Sequence, residues 1–236
     1  MRADEFLNLY KELEETLSMK YEEKDRKFSS PIFDFMNRRE GRLYKERLDL
    51  CREVRNLLVH RADLEGESVV EPAQALIDTL NEVIDFVNQP PLAIDFCTPL
   101  DQILKTHYEK NVFTLMKNME KRGFSHTPVI TDEGIEGVFS VSTIFSYVLA
   151  HPDITIRQDA VVGDFAEFLP IHRHCSETFR FMDEDTTFME ARDAFERTSS
   201  KGKRLAGIFL TPHGTSKERL IGMLTPWDVM KDEYAG

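Results

Sequence analysis

The stretch GFSHTPVITDEGIEGVFSVST, residues 123–143, returns later in the chain in a changed form. Gly123–Thr131 aligns without gaps to GKRLAGIFL, Gly202–Leu210, and GVFSVST (137–143) aligns to GMLTPWD (222–228). A repeat of this kind has to be read before single elements are assigned. In each copy a short apolar run rich in β-formers is followed by a second one, and a helical pattern flanks the pair on either side. The runs TPVIT (127–131), GVFSV (137–141), FRFM (179–182), AGIFL (206–210) and LIGML (220–224) predict strands. Helical spacing is found at 111–122, 142–149, 187–198 and 226–233. This half alternates strand and helix. Each copy is too small to bury a good core alone, so the two are expected to pack together, the second with the longer hairpin.

Upstream the character differs. Phe6, Leu9, Tyr10, Leu13 and Leu17 are spaced as one face of a helix over 1–27. Ser30 is placed to cap a new helix with Pro31 at its first position. A stripe of Tyr44, Leu48, Cys51, Val54, Leu57 and Leu58 predicts a helix over 43–60 with these residues in the core. Ser68 and Glu71 have capping-box spacing ahead of a helix at 72–88, which Pro90–Pro91 terminates. The expectation is an all-helical domain over 1–90 and a repeat domain over 91–236, with repeat one at about 93–150 and repeat two at about 160–233. The fold class is α+β in two domains.

Composition narrows the function classes. The chain has 236 residues, 41% hydrophobic and 31% charged, as in a globular protein, and no apolar run approaches the ~20 residues of a membrane span. The N-terminus lacks a signal-peptide core, and the three cysteines (Cys51, Cys97, Cys175) are too few and too scattered for a disulfide framework. Both point to the cytoplasm. A net charge of −12 opposes broad nucleic-acid binding, and no DNA partner is expected. Residues 38–61 nevertheless carry eight Arg or Lys against four acids.

In TPWD, Thr225 can cap a helix, with Asp228 three residues on. One reading is an N-cap with an acid favourably placed near the helix dipole. The other is a ligand site, with Asp228 accepting from vicinal ribose hydroxyls and Thr225 with free N–H groups near a phosphate. The two repeats together resemble the cystathionine-β-synthase (CBS) domain, which occurs as tandem pairs called Bateman modules; the resemblance spans about 93–233 and rests on residues 123–140 and 204–229. It implies two βαββα motifs packed as a pseudo-symmetric pair that binds an adenosine-containing ligand: AMP, ADP, ATP or S-adenosylmethionine. The ribose carboxylate of the family falls on Asp228, with Thr225. In the first copy Ser140 keeps the hydroxyl but Thr143 replaces the acid, so one such site per chain is expected. His126 and Arg204, just before the first strand of each copy, are the candidate phosphate contacts. The resemblance also implies a homodimer.

HRHC (172–175) offers two imidazoles and a thiol, but adjacent residues rarely converge on one ion, so a solvated linker is expected and no metal.

CREVRNLLVH (51–60) holds Arg55, Asn56 and His60. On a helix Arg55 and His60 lie about 140° apart, so a single helix does not aim them at one point. One reading is a helix that ends in cations. The all-helical domain also resembles the HEPN superfamily, whose signature R-x4-6-H is met by Arg55–His60. That resemblance implies a metal-independent ribonuclease assembled across a dimer and acting on single-stranded RNA. His60 would be the acid or base, Arg55 the stabiliser of phosphate charge and Asn56 a positioning group.

Three functions follow: a nucleotide-sensing regulatory protein whose CBS ligand controls the helical domain, a ribonuclease under the same control, and an adaptor that only dimerises.

Overall fold

The computed structural model describes residues 2–21, 30–60, 70–197 and 202–230, and these divide into two compact units at the Pro91–Leu92 bond.

The first unit is helical. Helices α1 (Arg2–Lys20), α2 (Pro31–Asn37), α3 (Lys45–His60) and α4 (Gln74–Asn88) are joined in part by a 3₁₀ turn at Glu40–Tyr44. Phe6, Leu13, Leu17, Ile32, Phe35, Leu48 and Leu80 are fully buried at its centre. Leucines and phenylalanines at helical spacing give each helix one apolar stripe, and the stripes close on each other because burial removes them from water. The sequence reading needs three corrections here. Ser30 occupies the N-cap position of α2 but makes no side-chain cap; its hydroxyl donates to Glu14 Oε1 at 3.0 Å. Helix α4 begins at Gln74, past Glu71, with Ala73 at its N-cap, and the proposed partner Ser68 lies outside the described residues. Leu57 is exposed, while Val54 and Leu58 pack against the core.

The second unit mixes strands and helices. Its elements are β1 (Thr98–Pro99), α5 (Val112–Arg122), β2 (His126–Thr131), β3 (Gly134–Ser140), α6 (Val141–Ala150), β4 (Glu177–Met182), α7 (Phe188–Glu196), β5 (Arg204–Leu210), β6 (Gly222–Leu224) and α8 (Pro226–Val229). The order β4–α7–β5–β6–α8 is a βαββα motif, with β4 parallel to β5 and β5 antiparallel to β6. The first motif has the same order, but its leading strand is reduced to one parallel bridge, Thr106 to Val129, ahead of α5, the β2–β3 hairpin and α6. Short β1 pairs with β6, which stitches the start of the first motif into the second motif's sheet.

Gly123 and Gly202 match across the repeat in conformation as well as in sequence. Both are left-handed, with φ of 68° and 73°, at the turn from helix to strand. A left-handed residue lets the chain reverse without a Cβ clash. Gly137 serves packing instead: a Cβ there would sit 2.3 Å from the Leu169 carbonyl oxygen, and the next amide, Val138 N–H, donates to that oxygen at 2.9 Å. Among the described residues, no helix is long and apolar enough to cross a membrane.

Candidate functional site

The α6 and α8 helices begin alike. Thr225 precedes α8, and its backbone N–H and its hydroxyl both donate to Asp228 Oδ2 at 2.7 Å. Ser140 precedes α6, and its backbone N–H donates to Thr143 Oγ1 at 3.0 Å. Thr143 thus does for the first copy the capping that Asp228 does for the second, without a charge.

Their surroundings differ. Thr225 and Asp228 are half-buried and line a pocket of about 260 Å³ together with Ile103, Phe124, His126 and the exposed Trp227. The pocket therefore joins the α5–β2 turn of the first copy to the β6–α8 turn of the second. Both capping bonds fall on Asp228 Oδ2 and neither on Oδ1.

The mirror-related place joins β3–α6 to the start of β5, and a carboxylate fills it. The bridges Thr106–Val129 and Arg180–Ile208 put Thr106 and Arg180 in matching positions, so three residues earlier Ile103 matches Glu177. Glu177 is 3% exposed. Its Oε1 accepts from Ser140 at 3.0 Å and Ser142 at 2.6 Å, and lies 3.2 Å from His174 Nδ1, while Oε2 lies 2.9 Å from His126 Nε2. Burial by itself would push this carboxyl up, but the hydrogen bonds from His126, His174 and Ser142 outweigh it and hold the group well below the usual carboxylate range. An ionised carboxylate only accepts, so the facing nitrogens of both histidines carry the protons. The Phe179 ring stands edge-on to both imidazoles, at 5.3 and 5.4 Å.

The candidate residues are thus sorted by the fold. Thr225, Asp228 and His126 come together in one pocket. Ser140 is 1% exposed and committed to Glu177. Arg204 is exposed at the first position of β5, paired in register with Glu177. His174, expected in a solvated linker, is 2% exposed, because its ring completes the Glu177 cluster and its Nε2 reaches the Leu169 carbonyl at 3.3 Å. Among the described residues, no group of three or more His, Cys, Asp or Glu side chains is arranged to hold a metal ion. Sequence reasoning missed Glu177 and Ser142, which are joined by a hydrogen bond across 35 residues. Trp227 lay inside the T-x-x-D motif and could have been named from it.

In the helical unit, Asn56 and His60 border an open depression of about 530 Å³ with Glu53 and Leu57. Arg55 does not line it. The Arg55 guanidinium donates to Asn56 Oδ1 at 3.3 Å and lies 5.7 Å from the centre of the Tyr10 ring. Burial first, then the charge of Glu14, push the Tyr10 phenol up to about 12, against the opposing pull of Arg55 and Arg52.

A search of curated proteins finds none that matches the chain. Solved structures similar to it include CBSX2 in complex with AMP, at 18% identity over 60% of this chain and 95% of that one, with a TM-score of 0.43. CBSX2 from Arabidopsis thaliana is 16% identical over 60% of this chain and 93% of that one, at 0.40. The CBS domain pair of protein MJ0100, in complex with 5′-methylthioadenosine and S-adenosyl-L-methionine, is 13% identical over 58% and 91%, at 0.38. The family model described as CBS domain matches residues 94–150 of this chain.

Proposed function

We propose that this protein is a nucleotide-sensing regulator, in which an adenosine-containing ligand bound between the two repeats controls the helical unit. The observation that carries the reading is the pocket shared by Thr225, Asp228, His126 and Trp227. Asp228 caps its helix through Oδ2, so Oδ1 can accept from ribose hydroxyls, and Trp227 offers an aromatic face to the base. The CBS match over 94–150 supports the ligand class. The proposal includes one ligand per chain, a homodimer and a cytoplasmic setting.

Trp227 is the only tryptophan in the chain, so the pocket carries its own reporter. Titration of the full chain with adenosine compounds should change its fluorescence saturably, and Asp228→Ala should raise Kd about 10- to 150-fold, the loss of a charge-assisted hydrogen bond worth ~1.5–3 kcal/mol. Unchanged affinity in that variant would leave Asp228 as a helix cap only.

A second reading, a ligand-controlled HEPN-type ribonuclease, is favoured by one arrangement. His60 and Asn56 face a common open depression, and Arg55 is tied to Asn56.

A further inference from the structure

Among the described residues, the pocket's lining holds one carboxylate, Asp228, and one imidazole, His126, and neither a lysine nor an arginine. Sites that take phosphate groups supply cations or clustered N–H donors to them. Helix α8 spans only Pro226–Val229, and the backbone N–H of Thr225 at its start is already given to Asp228. His126 is already engaged on both ring nitrogens. Its Nε2 faces the buried Glu177 carboxylate at 2.9 Å, and its Nδ1 lies 2.9 Å from Ser125 Oγ.

Arg122 is a cation at the end of α5, on the turn that leads to His126. Its guanidinium donates to the Gln102 carbonyl at 2.7 Å and lies over the Phe124 ring at 4.7 Å, so it stacks on a lining residue and does not itself line the cavity. The negative side is better supplied. Cys97, next to Thr98 of the lining, has its thiol pushed up by burial and by the charges of Asp228 and Asp95. The volume, about 260 Å³, lies below the ~300–1,000 Å³ of common small-molecule sites. Room and field both match a nucleoside rather than a nucleoside polyphosphate.

We infer that the pocket, if it is the adenosine site proposed above, selects adenosine derivatives that carry no phosphate: the neutral nucleoside, its thioether or its sulfonium.

The test uses the full chain and the Trp227 signal at pH 8 and low salt, with adenosine, 5′-methylthioadenosine, S-adenosylmethionine, AMP and ATP as probes. At least one of the first three should bind tenfold or more tightly than AMP and ATP. The gap should narrow as salt is raised, because the discrimination is electrostatic. Ser125→Lys, which adds a cation at the exposed edge of the pocket, should shift the ratio towards AMP. AMP or ATP binding as tightly as the best unphosphorylated probe overturns the inference and leaves the adenosine reading intact. No response to any of the five overturns the adenosine reading itself, and the inference falls with it.

Discussion

The hydroxyl of Ser140 donates to Oε1 of Glu177 at 3.0 Å, across 37 positions of sequence. Beside Thr225 the matching place is open, because the residue that matches Glu177 is Ile103, whose side chain reaches no polar group. The two halves thus hold one carboxylate each near the capping hydroxyl, but from different sources. In one it comes from the helix and borders a cavity, and in the other it comes from the strand and fills the space.

Glu177 should shape acid stability. Its carboxyl is held below the usual range in the folded chain, so its contribution is fully present above about pH 4.3 and is lost as pH falls from there towards the folded value. One such group steepens the loss by up to ~1.4 kcal/mol per pH unit below that point. Denaturant unfolding from pH 7 to pH 3 should show Glu177→Gln less stable at neutral pH and flatter in acid. Parallel curves would mean that the cluster adds nothing specific.

Thr143→Ala should separate stability from binding. The substitution strands the buried Ser140 N–H and should cost ~1–3 kcal/mol, read as a lower midpoint of unfolding. The Trp227 titration should be unaffected, since Thr143 lies at the filled place. A large fall in affinity with unchanged stability would reverse the assignment of open and filled clefts.

Two glycine variants should rank by contact. Gly137→Ala drives a methyl to within 2.3 Å of the Leu169 carbonyl oxygen and disturbs the adjoining Val138 hydrogen bond, costing about 1–3 kcal/mol. Gly123→Ala meets nothing within 4 Å, and its left-handed φ alone costs ~1–2 kcal/mol. Melting temperatures should fall in both, and a neutral Gly137→Ala would show that the Leu169 loop yields freely.

Light scattering of the full chain at micromolar concentration should give a dimer. Val141, Phe145 and Leu149 are 64–70% exposed on α6, an apolar face suited to a second copy. Phe145→Glu should yield monomer. A wild-type monomer would remove the dimer and, with it, any composite site at Arg55 and His60.

The ribonuclease reading makes its own demand. Purified protein should cut single-stranded RNA in EDTA and leave DNA intact, since the 2′-OH is the nucleophile. His60 is exposed, so His60→Ala should abolish cutting with little change in melting temperature. Without cleavage, with or without nucleotide, Arg55 is left as a surface cation and His60 as the basic residue of the last turn of α3, where losing a positive charge costs up to about 1 kcal/mol.

The sequence by itself determined what depends on local order. Alternating apolar runs, the glycine turns at Gly123 and Gly202, and the caps at Ser140 and Thr225 are set by residues within a few positions of each other, so strands β2, β3 and β5 and helices α5 to α7 could be placed from the chain alone. The same locality exposed Thr143 in the place of an aspartate. Tertiary structure decided which cleft is open. Glu177, His126, His174 and Ser142 come from three separate stretches and meet only when β4 lies beside β5 and both histidines turn towards the same carboxylate. A buried charge must find its hydrogen bonds wherever the packed chain can supply them. That requirement places no pattern on neighbouring residues, so it left His174 looking like part of a solvated loop and Glu177 like a residue ahead of the strand read at 179–182.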